Sequence, residues 1–315
     1  CCPELNLAHN ATASGWTSGE RRTVPGATLS PFAGVSLLAA YGATALALTW
    51  ALSRRMRATK SEFLVAGRTL KVWEATCSIA ATWIWAPALF LASQKAYTQG
   101  IPGVFWFTVP NILCLILFAH FADRIRALVP EGFTLSHYMR TRYSRRVQAL
   151  YLLQMAGLAA CSFAVQLLAG GKVAAALTGL PFVWVTVALA GIALSYSVLS
   201  GLRASVITDH AQMVIILGVL FVVVPWAVVR AGGLGVVADG LGGQSGTFRS
   251  LFSASGGSVA WSFGISVTIG LLAGPFGDQS FWQRAFAVER DKVKRAFVWG
   301  ALLFALVPLL LSVLG

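Results

Sequence analysis

Apolar residues in this chain fall in blocks of about 20 or more, separated by short charged stretches, and this spacing restricts the fold more than any motif does. A helix needs ~20 such residues to cross ~30 Å of hydrocarbon. In lipid the backbone must satisfy its own hydrogen bonds, so blocks of that length are helices. Strands of a membrane barrel would read as ~10-residue alternating segments, and the sequence has none. Composition agrees: 57% of the 315 residues are hydrophobic and 11% are charged. A soluble domain carries roughly 25% charged residues. The blocks predict an all-α integral membrane protein of about eight spans, at 31–53, 72–97, 102–123, 147–176, 181–199, 204–229, 259–282 and 296–314.

The charge distribution predicts their orientation. Loops 54–71, 124–146, 200–203 and 283–295 hold 18 of the 24 Lys and Arg residues. Basic loops stay cytoplasmic. The N-terminus and the 231–258 loop are then extracytoplasmic, and alternation holds through all eight spans. The net charge of +13 is therefore a topology signal and does not call for nucleic acid. The expected partners are the lipid bilayer and whatever the spans enclose. Stretch 133–145 is polar and basic, and Thr134 is a plausible N-cap for a short helix along the cytoplasmic face. The chain starts with Cys1, and segment 1–30 is polar, as expected of a fragment or an artefact at its beginning.

Two spans are interrupted. The second carries Pro87 near its middle, where proline removes a hydrogen bond and crowds the preceding turn. The seventh carries Gly274-Pro275-Phe276-Gly277, followed by Asp278 and Gln279. Transporters built from inverted repeats place a broken helix at corresponding positions of each repeat. The unwound backbone there presents carbonyls to a cation and amides to substrate. Proline and glycine also merely kink membrane helices, but paired interruptions point to a binding site.

Intramembrane carboxylates usually have a role or a partner. Glu74 can snorkel from the entrance of span two. Asp209, early in span six, is either functional or paired with Arg203 or His210. Asp278 lies near Arg284, which suits a structural pair. Gln154 and Gln166, in span four, suit interhelical hydrogen bonds. The histidines, His9, His120, His137 and His210, are scattered, and no Cys/His cluster, Walker loop or Ser/His/Asp arrangement is present. Enzyme chemistry has little support.

Four segments carry a family resemblance: FLVAGRTL (63–70), FTLSHYMRTRY (133–143), SGLRASVITDHAQ (200–212) and FWQRAFAVERDKVKRA (281–296). In order and spacing, from about residue 33 to the end, the chain resembles the sodium:solute symporters. The resemblance implies a LeuT-like inverted-repeat transporter core with a leading helix (31–53). A first five-helix repeat would occupy 54–230, and 259–315 would supply the first two helices of an incomplete second repeat.

The resemblance also implies sites. Sodium would bind backbone carbonyls of Ala81 and Ile84. Thr208 and Asp209 would serve coupling. Substrate would lie near Thr82, Trp83, Trp85 and Ala88, facing Gly274 and Gly277. The family's second half of the cation site is a hydroxyl pair in a ninth span, and this chain stops at Gly315 before it, as a C-terminal truncation would. The family's sugar transporters carry a substrate-binding Lys in the eighth span. Here that position falls at or near Phe304, with no Lys in 296–315, which argues against a sugar. Trp83-Ile84-Trp85-Ala86, with Ala96-Tyr97, Gly100 and Gly103-Val104-Phe105-Trp106, is most similar to the urea-transporting branch. The implied activity is sodium-coupled symport of a small polar solute, urea or similar, across the cell membrane. No organic cofactor is implied. A membrane sensor domain of the same fold and an uncoupled channel are the alternatives.

Overall fold

The structure is a computed structural model that describes residues 29–54, 59–199 and 201–315. Most of the expected extracytoplasmic segment 1–30 lies outside those residues. Regular structure among the described residues is helical, with one isolated β-bridge between Leu70 and Val288.

The leading helix α1 is Pro31–Ser53. After the short α2 (Lys60–Val65), span two begins as α3 (Val72–Trp83). The backbone N–H of Lys71 donates to Glu74 Oε2 at 2.8 Å, so Glu74 holds the start of α3. The chain then opens. Ile84 (φ −81°, ψ 98°) and Trp85 (φ −106°, ψ 154°) are extended, and α4 (Ala86–Leu128) begins with Pro87 in its first turn. Proline is tolerated there because that N–H needs no helical partner. The interruption expected at Pro87 thus sits just before it.

As one straight helix the 43 residues of α4 would reach about 65 Å at 1.5 Å per residue, twice a bilayer core. Gly100 divides it, with φ 49° and ψ −140°, a region open to glycine alone. The two arms are the rest of span two and all of span three. Next come α5 (Leu135–Arg142), α6 (Arg145–Thr178), α7 (Phe182–Leu199) and α8 (Leu202–Ala231). Thr134 caps α5 as expected, accepting from the His137 N–H at 3.4 Å. After α9 (Leu234–Gly240), span seven runs through α10 (Ala254–Val259), a π turn at Ala260–Gly264 and α11 (Ile265–Gly277). Then follow α12 (Gln279–Ala287) and α13 (Val293–Ser312).

Among the described residues six helices are long and apolar enough to cross a membrane. The expected eight differ for two reasons. The helix from Ala88 to Leu128 counts once although Gly100 splits it, and α7 registers as a shorter apolar helix, Phe182–Ser195.

The second interruption falls one residue later than the sequence suggested. α11 continues through Gly274, Pro275 and Gly277, and the extended residue is Asp278 (φ −101°, ψ 117°). Pro275 fits helical φ and removes one hydrogen bond without ending the helix. The end is stabilised from outside: the Tyr151 hydroxyl and Trp282 Nε1 (3.0 Å) both donate to the Phe276 carbonyl. Asp278 then caps α12 by accepting the Ser280 N–H at 2.8 Å. It does not pair with Arg284.

The core joins α3, α4, α12 and α13. Phe118 is fully buried, and its ring packs against those of Phe276, Phe281, Trp282 and Phe297, with centroids 4.7–6.2 Å apart. At one end of Gly100, the 241–248 turn closes over the kink. The Ile101 N–H is shared between the Leu241 and Phe248 carbonyls at 3.1 and 3.2 Å, and the Gln244 N–H reaches the Tyr97 carbonyl at 2.6 Å.

Candidate functional site

At the first break the helix loses donors in sequence. Trp85 is extended, and its N–H no longer reaches the Ala81 carbonyl. The Ala86 N–H is diverted to Gln166 Oε1 of α6, at 2.7 Å. Pro87 has no N–H. Among the described residues, no backbone N–H donates to the carbonyls of Ala81 or Ile84. Unspent carbonyl oxygens suit a hard monovalent or divalent cation. Among those residues no cluster of His, Cys, Asp and Glu has a metal-binding arrangement.

Gln166 is therefore more than interhelical glue: it caps the start of α4, the arm that follows the break. Gln166→Leu is expected to cost about 1 kcal/mol, read as a lower unfolding temperature in detergent, while Gln166→Glu keeps the acceptor and most of the stability.

Nearly two helical turns before the break, Ser78 is fully buried and meets α8 and α12. Its hydroxyl donates to Asp209 Oδ2. Arg284 Nε donates to Ser78 Oγ at 2.7 Å, Arg284 Nη2 to Asp209 Oδ2 at 2.8 Å, and Arg284 Nη1 to the Ser280 carbonyl at 3.0 Å. Arg284 is 5% exposed. The partner of Asp209 is thus Arg284, from beyond the second break. Arg203 pairs instead with Glu62 at 3.0 Å, and the His210 ring engages the Val206 carbonyl at 2.7 Å and stacks edge-on with Trp73. An i,i+1 neighbour on a helix points elsewhere, and Arg203 lies nearer the helix start, beside α2.

A polar cavity of about 340 Å³ lies beside this triad, lined in part by Thr82, Thr208, Asp209, Gln212, Ser280 and Arg284. The expected coupling residues Thr208 and Asp209 share it with Thr82. The Thr208 hydroxyl is turned back to the Ser205 carbonyl at 2.8 Å, and that of Thr82 to the Ser78 carbonyl at 2.7 Å.

The substrate set suggested by the resemblance does not gather at one point. Trp83 spans the two breaks: its ring stacks edge-on with Phe281 at 5.2 Å, and its Cη2 lies 3.0 Å from where a Cβ of Gly274 would be. The indole Nε1 is buried without a partner. A Cβ on Gly277 would lie 2.7 Å from Gln154 Nε2, so that glycine admits α6. Trp85 and Ala88 turn away, packing with Ala92, Phe107 and Phe263. Gln166, Ser78, Arg284 and Gln279, whose buried amide atoms lack partners, were not singled out as site residues from the sequence. For Ser78, Gln166 and Gln279, polarity inside predicted spans is the one signal that could have found them, while Arg284 falls in the predicted loop 283–295 and carries no such signal.

A model of the sodium:solute symporter family matches residues 63–315. The chain belongs to the sodium:solute symporter family. The urea active transporter of Saccharomyces cerevisiae is 26% identical over 267 residues, covering 81% of this chain and 36% of that protein. The urea–proton symporter of Oryza sativa subsp. japonica is 24% identical over 278 residues, covering 81% and 39%. The chain spans about two fifths of the length of such curated relatives. A solved structure, a Na+-coupled sialic acid symporter in a substrate-bound outward-open state, superposes with a TM-score of 0.65 at 18% identity. It covers 89% of this chain and 59% of that one, and shows a shared fold.

In this chain the four segments that carry the resemblance meet at one end. Arg203, of the third segment, donates to Thr69 Oγ1 of the first at 3.2 Å. The Leu70 N–H donates to the Ala287 carbonyl of the fourth at 3.1 Å. The Arg68 guanidinium lies over the ring of Phe133, of the second, at 5.1 Å. The family motifs are therefore one assembly of loop-end contacts that ties α3, α8 and α12 together beside the cavity.

Proposed function

We propose that this chain forms much of the core of a sodium-coupled symporter for a small polar solute, urea or a similar compound, in the cell membrane. The observation that carries this reading is the meeting of the two broken helices, with Trp83 lying across to Gly274 and Phe281 while Asp209 lines a polar cavity on the α3 side of the first break. The leading helix 31–53 stands outside two repeats, 54–230 and the one opened by 259–315. The basic loops are cytoplasmic, and the N-terminus is extracytoplasmic.

In this reading sodium binds the free carbonyls of Ala81 and Ile84, and Asp209 with Thr208 couples the cation to the breaks. Solute meets the indole N–H of Trp83 beside the Gly274–Gly277 end of α11. The names of the yeast and rice relatives support urea as the solute. Sodium drives transport only through its different affinity for the two arrangements of the repeats.

The test is uptake of labelled urea by the full-length protein in vesicles, with a sodium gradient, a proton gradient or neither. Accumulation with sodium alone supports the proposal. Accumulation that follows only the proton gradient assigns the coupling to protons, and equal uptake in all three removes coupling. Asp209→Asn is expected to abolish the gradient dependence.

A further inference from the structure

We propose that Arg284 is a tethered counter-cation that occupies Asp209 and competes with the transported cation for it. The inference rests on the cation-coupled reading above.

Three observations carry it. First, all three faces of the Arg284 guanidinium fork are engaged around Asp209: Nε donates to Ser78, Nη2 to Asp209 and Nη1 to the Ser280 carbonyl, each at 2.7–3.0 Å. Arginine's planar donors are suited to such a fork, and a lysine cannot reproduce it. Second, only one oxygen of Asp209 is engaged. Oδ2 accepts from both Ser78 and Arg284, while Oδ1 has no hydrogen-bond partner among the described residues. The carboxylate keeps 13% of its side chain exposed and lines the cavity with Thr82, Thr208 and Gln212. A cation entering there meets a carboxylate already half-used. Third, the three residues belong to elements separated by both breaks. Ser78 lies in α3 ahead of the first break, Asp209 in α8, and Arg284 in α12 after the second break at Asp278.

The consequence follows from charge. With Arg284 in place, Asp209 is neutralised, and a second cation gains little there. When Arg284 withdraws, the carboxylate is left buried and unpaired, a costly state that a mobile cation relieves. Cation binding and the release of α12 from α3 and α8 are then the same event. The other ionisable groups on the adjoining faces are otherwise engaged: Glu62 with Arg203, and His210 with the Val206 carbonyl.

The apparent affinity for a cation that needs the withdrawn state is its intrinsic affinity scaled by the fraction withdrawn. If the pair is closed about nine-tenths of the time, removing Arg284 strengthens cation binding about tenfold.

The test uses the full-length protein in detergent without solute. Binding is read as thermal stabilisation across a sodium series balanced with potassium, and across a pH series at fixed potassium for the proton arm. Arg284→Gln is expected to lower the half-saturating sodium about tenfold. Arg284→Lys, which keeps the charge but loses the fork, is expected to lower it about threefold. An Arg284 that acted only as a nearby charge would leave Arg284→Lys at the wild-type value. Asp209→Asn removes the sodium response, alone or combined with Arg284→Gln.

Unchanged or weaker sodium binding in both Arg284 variants, eluting as folded single species, overturns the proposal. If Arg284→Gln fails to fold, the half-saturating sodium of Arg284→Lys decides the question alone. If Asp209→Asn still binds sodium, the cation role of Asp209 is wrong. If it loses sodium while the Arg284 variants stay at wild type, only the competition is wrong. The same shifts appearing in the pH series and not with sodium identify the cation as a proton.

Discussion

Gly100→Ala is expected to destabilise the protein by about 3 kcal/mol or more. Two costs add. At φ 49° and ψ −140° an alanine is strained by roughly 1–3 kcal/mol. Its Cβ would also lie 2.5 Å from the Leu241 carbonyl oxygen, 2.7 Å from that of Phe248 and 2.8 Å from the Gly243 nitrogen. All three are backbone atoms, so no side chain can swing aside. The 241–248 turn must lift off, and the Ile101 N–H loses both acceptors. Thermal unfolding in detergent reads the loss. Gly157→Ala in α6 is the control, since nothing lies within 4 Å of its Cβ, and the helical propensity of alanine favours it by about 0.5–1 kcal/mol. Equal unfolding temperatures for the two variants would refute the account of the kink.

Phe118→Ala should cost about 3 kcal/mol, the low end of the range for truncating a buried phenylalanine. The low end applies because lipid is as apolar as the core, so the loss is mostly packing. Phe118 is the ring that the others share: Phe276 lies before the second break, Phe281 and Trp282 after it, and Phe297 in α13. Its loss is expected to loosen both sides of the break. Phe118→Leu keeps most of the volume and should cost about 1 kcal/mol. A Phe118→Ala protein that unfolds with the wild type would show that the cluster contributes no stability.

The sequence shows the helices through their length and apolarity, and the first break through Pro87, because these are local properties. The cap of α5 at Thr134 is legible for the same reason. The second break is misplaced by one residue, since Pro275 fits the helix and the end one turn on is stabilised by Tyr151, from another helix, and Trp282, both donating to the Phe276 carbonyl. The partner of Asp209 is invisible for a related cause. Sequence neighbours Arg203 and His210 offer themselves, yet the side chain meets Arg284 across 75 residues. The candidate substrate residues illustrate a third limit. Trp83 and Trp85 are two apart, so the break sends them to opposite surroundings, one to Gly274 and the other to Phe107. The kink at Gly100 requires a turn that comes after α9, and a helix-forming pattern on either side conceals it.

The long reach of the Ser78–Asp209–Arg284 contact has a consequence for biosynthesis. Ribosomes add ~5–20 residues per second, so Asp209 is made roughly 4–15 s before Arg284. During that interval Asp209 enters the bilayer without its counter-charge, at a cost of up to ~2.5–3.5 kcal/mol on insertion scales. The long apolar remainder of α8, from Met213 to Val229, is what holds the helix in place through that wait. Any substitution that makes this stretch more polar should first lower the yield of inserted protein, long before it alters the finished molecule.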